Sequence, residues 1–228
     1  MRTVYLFVFD TLSDWEPGFA IAGINNPQFQ RRPGEYRVRT VSVGGKPVAT
    51  VGGLRIQPDD ALEALVPSDS AMLILPGGAR WDEGGNVEAI EHARSHLNAA
   101  VPVAAICGAT AGLARDGLLS DRKHTSNARE YLAQTGYAGG RLYQNEPVVR
   151  DGNLITASAM APLDFAHAIF ECLQLYTPEV LDAWYKLFST GKAEYFGALM
   201  AASAPSSESN AGGGQTETRR HESRSSLH

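Results

Sequence analysis

The sequence predicts an α/β protein, a three-layer sandwich with helices on both faces of a mostly parallel central sheet. Short runs of β-branched and aliphatic residues at 4–9, 36–43, 71–75 and 101–106 alternate with segments of helical spacing. Three of these runs, 4–9, 71–75 and 101–106, are apolar throughout, as strands buried on both faces are. Two hairpin signals add antiparallel decoration: Gly52-Gly53 between 48–51 and 54–56, and Asp151-Gly152-Asn153 between 148–149 and 154–156.

The first strand, at 4–9, leads into a helix over about 14–24. The strand at 71–75 ends in Pro76-Gly77-Gly78, and Val87, Ile90 and Leu97 then mark an amphipathic helix. The strand at 101–106 runs into a short helix at 109–115. A strand tip at 124–126 and a helix over about 128–134 follow. After the second hairpin, Leu163, Ala166, Ile169, Phe170 and Leu173 share one face of a long helix. These elements place one layered domain over residues 1–176. Residues 177–200, carrying Trp184, Tyr185, Phe188, Tyr195 and Phe196, read as a helical extension packing on it or on a partner chain. Residues 201–228 contain Leu227 as their single large apolar side chain past the alanines and read as a disordered tail.

With 43% hydrophobic and 20% charged residues the chain has enough apolar surface for a sizeable core. Its formal net charge of −5, with no dense basic stretch in the folded part, disfavours nucleic-acid binding. No run approaches the ~20 apolar residues of a membrane span. The run at 4–9 is too short for a signal peptide and is followed at once by Asp10. Two cysteines, Cys107 and Cys172, make no disulfide framework, so a reducing, cytoplasmic setting is expected.

The chemistry centres on Cys107. A buried strand, Val103-Ala104-Ala105-Ile106, runs into Cys107, then Gly108 and small helix-compatible residues. A nucleophile between a strand and the next helix faces the open end of the sheet, where free backbone N–H groups favour a thiolate and an oxyanion. The alternative is a small buried hydrophobe. The amides of Gly78, Ala79 and Gly108 are candidates for an oxyanion and substrate-binding site, although the glycine pair also suits a plain helix-entry turn. Glu16, in Asp14-Trp15-Glu16-Pro17, either caps its helix or, if burial keeps it protonated, donates a hydrogen bond to the sulfur. Trp15 and Trp81 are candidate crevice walls. His92 and His96 are four apart on a helix read as exposed, and with His167 they make no metal site. No metal or cofactor is expected, and Cys172 reads as structural.

These features, together with Lys123-His124-Thr125-Ser126-Asn127 and the segment 151–158, resemble the PfpI-type superfamily over about residues 3–176. That group is similar to class I glutamine amidotransferases and includes archaeal intracellular proteases, the parkinsonism-associated deglycase and isonitrile hydratases. The resemblance implies a flavodoxin-like fold, Cys107 as elbow nucleophile, Glu16 as the buried acid beside it, and a homodimer. Many members place a histidine directly after the cysteine or about twenty residues beyond. Here those positions hold Gly108 and Asn127, with His124 three residues earlier, so His124 and Asn127 are both candidates for that place. Without an imidazole, glutamine hydrolysis and peptide cleavage lack an evident base, and Cys107 is expected to rely on its own lowered pKa. The expected function is a cysteine-dependent hydrolase or lyase acting on a small carbonyl, amide or isonitrile substrate. The alternative is a non-enzymatic thiol sensor in which oxidation of Cys107 is the event.

Overall fold

The structure, a computed structural model, describes residues 1–203. A seven-stranded sheet contains β1 (Arg2–Phe7), β2 (Tyr36–Ser42), β5 (Asp60–Ala61), β6 (Ser70–Leu75), β7 (Val103–Ile106), β8 (Val148–Asp151) and β9 (Leu154–Ala157). Their order is β5-β2-β1-β6-β7-β9-β8. All pairs are parallel except β8 with β9, which form the hairpin at the Asp151-Gly152-Asn153 turn. The other hairpin, β3 (Val48–Ala49) with β4 (Arg55–Ile56), stands apart as a two-stranded sheet.

The three central strands explain the continuous apolar runs. β6 and β7 are buried along nearly their whole length, and in register Val4 lies beside Met72 and Val38, and Ala104 beside Ile74 and Ile155. Helices α1 (Trp15–Asn25) and α6 (Pro162–Leu173) cover one face. On the other lie α2 (Ala79–Asp82), α3 (Val87–Asn98) and α4 (Gly108–Arg115). A short α5 (Arg129–Ala133) follows α4. Residues 124–126 form no strand; His124 makes only an isolated bridge to Tyr143.

The chain leaves β1 for β2 on one side and later returns to β6 on the other. The carboxyl ends of β1 and β6 therefore diverge and open a crevice, the place where open α/β sheets bind ligands. Glu16 follows β1, Gly77 and Gly78 follow β6, and Cys107 follows β7. The topology thus brings together three sequence segments, at Glu16, Gly77 and Cys107, that are far apart along the chain.

Past the sheet, α7 (Pro178–Thr190) and α8 (Ala193–Ala202) follow, with α7 packed on α6 and α8 on α7. Trp184 carries the first contact, with ring centroids 5.0 Å from Phe170 and 6.3 Å from Phe19. Helix α8 extends over Ala201 and Ala202, two residues into the expected tail; the rest of that expectation lies outside the described residues. No described helix is long and apolar enough to cross a membrane.

Packing of α1 on α6 is tight at Gly23, where a Cβ would stand 2.3 Å from Phe170 Cζ and 2.9 Å from the Tyr176 hydroxyl. Gly18, one turn and a half earlier, has open space around it. Gly23→Ala is expected to destabilise the fold by about 1–3 kcal/mol in urea unfolding, because the rings must move to make room. Gly18→Ala is expected to be neutral or to gain about 0.5–1 kcal/mol from lower unfolded-state entropy. Equal effects at the two positions would show that this contact does not set the α1 position.

Candidate active site

Cys107 joins β7 to α4 with φ 58° and ψ −126°, a conformation that a non-glycine residue adopts at a cost of about 1–3 kcal/mol. Its backbone is held from both sides. The Cys107 N–H donates to Ala157 C=O at 3.0 Å, and Cys107 C=O accepts from the Thr110 N–H at 3.0 Å and the Thr110 hydroxyl at 2.6 Å. That hydroxyl lies 2.6 Å from Ser126 Oγ, tying the elbow to the segment before α5. The small residues after Cys107 are explained by Trp81. This ring is fully buried, donates to Pro76 C=O at 2.8 Å, and would sit 2.6 Å from a Cβ at Gly112. Trp81 is therefore the floor under α4 and not a crevice wall, whereas Trp15 is 54% exposed.

Glu16 lies in the first turn of α1, where Pro17 is tolerated because its missing N–H has no intrahelical partner. The side chain is fully buried, and Oε2 accepts the Gly77 N–H at 2.5 Å. Gly77 is required by space, since a Cβ there would stand 2.6 Å from Cys107 Cβ and 2.7 Å from Glu16 Oε2. Oε1 is buried and finds no oxygen or nitrogen partner among the described residues; the Cys107 thiol faces the carboxyl.

Burial raises the Glu16 carboxyl from 4.5 to about 7, against the lowering effect of the Gly77 N–H. The Cys107 thiol is pushed up to about 12, first by burial and then by the negative charge of Glu16. The Asn127 amide and the Gly108 N–H act the other way, favouring a negative sulfur. The expectation of a thiol lowered on its own is thus corrected. Among the described residues the two acids sit together without a cation beside them, so the pair releases one proton near neutrality and keeps the second.

Of the two candidates for the missing imidazole's place, Asn127 reaches the sulfur. Its Nδ2 donates to Cys107 Sγ at 3.4 Å, and its Oδ1 accepts from the Ala159 N–H at 2.9 Å, which fixes the amide's orientation. His124 does not reach it. The ring is fully buried, with Nδ1 2.8 Å from Arg122 C=O and Nε2 2.9 Å from the Tyr137 hydroxyl, and burial lowers its pKa. The partners account for this: the His124 ring is held inside by Arg122 and Tyr137, whereas Asn127, at a bend in the chain, is fixed toward the sulfur by Ala159.

The glycine turn is only partly free. Gly78 forms an antiparallel bridge with Leu12, its C=O accepts the Trp81 N–H, and Ser13 N–H donates to Gly77 C=O. Ala79 is exposed at the start of α2, while Gly108 is buried at the start of α4. Sequence reasoning missed Gly77, Thr110 and Ser126, and also the Tyr131 hydroxyl, which donates to Asp82 Oδ1 at 2.6 Å close enough for the sulfur's charge to act on it. Polar residues in a helix and a loop give no local sign of such partnerships.

A cleft of about 380 Å³ adjoins Asn127 and is lined by Ser126, Tyr143, Glu146, Ser158 and Asp164. Among the described residues no cluster of three metal-ligating side chains occurs. His96 is buried rather than on an exposed face, with Nδ1 2.7 Å from His92 C=O and Nε2 3.0 Å from Ser70 Oγ. Cys172 is half-buried on α6, packed against the core.

The pattern of the DJ-1/PfpI family matches residues 2–172. The chain is 42% identical to the uncharacterized protease YoaZ of Bacillus subtilis over 202 residues, 87% of this chain and 96% of the relative. A thiJ/pfpI family protein from Bacillus anthracis superposes with a TM-score of 0.83 at 41% identity, covering 89% of this chain and 98% of that one. A DJ-1 superfamily protein from Agrobacterium tumefaciens gives 0.74 at 30% identity, with coverage of 84% and 99%. The fold thus recurs in solved relatives over nearly their whole length, and the chain belongs to the DJ-1/PfpI family.

Proposed function

We propose that the protein is a cysteine-nucleophile enzyme acting on a small carbonyl compound, with Glu16 as the proton acceptor and donor for Cys107. One observation carries this reading: a carboxyl raised to about 7 lies buried against the sulfur, and Asn127 stands in place of an imidazole. A general base works best when its pKa lies near the working pH. Once the pair has lost its first proton, Glu16 takes the remaining one from the thiol as sulfur attacks. The C–S bond forms, the carbonyl π pair moves to oxygen, and Glu16 returns the proton to that oxygen. The first covalent intermediate is a neutral hemithioacetal on Cys107, with no proton gained or lost in this step. The amides of Gly108, Gly78 and Ala79 are the groups at hand to steady the oxygen's charge during attack.

This step needs one proton moved out and back, which a single carboxyl supplies. Amide or peptide cleavage also needs a base to activate water after the amine leaves, and among the described residues the sulfur has no second base in contact. The cleft beside Asn127, mixed in character with Ser126, Glu146 and Ser158 next to Pro147, Met160 and Ala161, has room for a small substrate approaching the sulfur from the Asn127 side. The name of the Bacillus subtilis relative, an uncharacterized protease, supports hydrolase chemistry in the family; an isonitrile would in addition need a water to hydrolyse the thioimidate formed by sulfur attack.

Turnover of methylglyoxal, glutamine and a simple isonitrile separates these readings. Methylglyoxal consumption by wild type and its loss in Cys107→Ser is the expected result. Consumption that persists in Cys107→Ser means another nucleophile. No turnover, with stoichiometric oxidation of Cys107 by peroxide, supports the sensor alternative instead.

Iodoacetamide alkylation of Cys107 is expected to rise through pH about 7 in wild type, following the first proton lost by the pair. In Glu16→Gln the midpoint is expected to move above the ordinary thiol value of 9.0, because burial remains and the base is gone. An unchanged midpoint would overturn the coupling. Stability carries the same signature. The folded-state value of Glu16 lies above its unfolded 4.5, so the stabilisation is full below about 4.5 and is lost as pH rises through about 7. Denaturant titrations are expected to show a loss on the order of 3 kcal/mol across that window, absent in Glu16→Gln.

A further inference from the structure

A second cavity, of about 280 Å³, opens beyond the carboxyl ends of β1 and β2 and shares no lining residue with the cleft at Asn127. Asn86, just before α3, lines it. This residue is 4% exposed, its side chain does not cap the helix, and its buried Nδ2 has no hydrogen-bond partner among the described residues. A buried amide donor left unmatched is costly unless a ligand oxygen completes it. Around it, exposed at the rim, stand two cations, Lys46 and Arg80, and two acids, Asp10 and Glu88. None of the four is in an ion pair among the described residues. Asp10 Oδ1 accepts the Ala49 N–H at 2.8 Å, which holds that carboxylate at the rim.

From this arrangement we infer that the cavity binds a free α-amino acid. Its carboxylate meets the Asn86 amide, Lys46 and Arg80, while its ammonium meets Asp10 and Glu88. A plain anion would face two carboxylates, and a plain amine two cations; a zwitterion satisfies both pairs and the orphaned donor. The volume equals roughly nine waters at about 30 Å³ each, room for a compact amino acid. Buried Phe9 in the lining gives its side chain an apolar surface.

Calorimetric titration of the full chain with glycine, L-serine and L-methionine tests this, with acetate, inorganic phosphate and methylammonium as single-charge probes. Saturable binding of at least one amino acid, at least tenfold tighter than any single-charge probe, is expected. Asn86→Gly keeps the positive backbone angle of 61° and deletes the amide. It and Arg80→Gln are each expected to weaken binding about tenfold, the loss typical of a charge-assisted hydrogen bond. Cys107→Ala is expected to leave binding unchanged, so a failed catalytic reading does not touch this result. Absence of amino-acid binding, acetate or phosphate binding as tightly, no loss in the two variants, or abolition by Cys107→Ala each overturns the inference. Should a variant unfold, chemical-shift mapping on wild type decides. Shifts at the Asn86 amide support the site, and shifts confined to the surroundings of Asn127 refute it.

Discussion

A carboxyl group sealed from water beside a cysteine has few ways of being satisfied. Glu16 accepts a single backbone N–H, from Gly77, on one oxygen, while the other is buried without a partner among the described residues, with the Cys107 thiol and the Ser13 hydroxyl beside the carboxyl. Among the described residues neither acid has a cation in contact, so losing both protons would place two negative charges side by side in a poorly solvated space. The glycine at 77, the turn that follows it and the strained backbone at Cys107 all serve to keep these two groups touching. If Glu16 were displaced by the width of one methyl group, the sulfur would retain its amide donors and lose its proton partner.

The supports for that contact are spread through the fold. On one face Trp81 lies beneath α4, and the small residues at 108 and 112 let the helix settle on it. On the other, Gly23 lets α1 approach Phe170, while Trp184 of α7 closes over the same aromatic group. The helix that carries Glu16 is therefore positioned by packing that includes residues beyond 172, where the family pattern ends. The strain at Cys107 is borne by the Thr110 hydroxyl and its contact with Ser126.

Sequence patterns made the sheet and its hairpins legible because strands buried on both faces must be apolar throughout, and Asp-Gly-Asn leaves few alternatives to a tight turn. The cysteine after Ile106 was legible for a similar reason, since a strand running into Cys-Gly is a local signal. Which side chain meets the sulfur was not, because His124 and Asn127 are placed by partners at Tyr137 and Ala159 that no local pattern reveals. Trp81 was misplaced by proximity to the glycine pair; its ring turns into the core because an indole buried there satisfies its N–H at Pro76. His96 went the same way, sheltered by a bond to Ser70 from a distant element. The sign of the thiol's shift depends on solvent access and on charges brought from another strand, neither of which a linear pattern contains.

Glu16 has no exposed surface, whereas Cys107 is half-buried with one side open. On the open side of the site, the route for hydrogen ions between this carboxyl and bulk water then runs past the thiol. A molecule seated over the sulfur shuts that route, so the hydrogen ion taken up at the start of a reaction stays captive until the ligand itself accepts it.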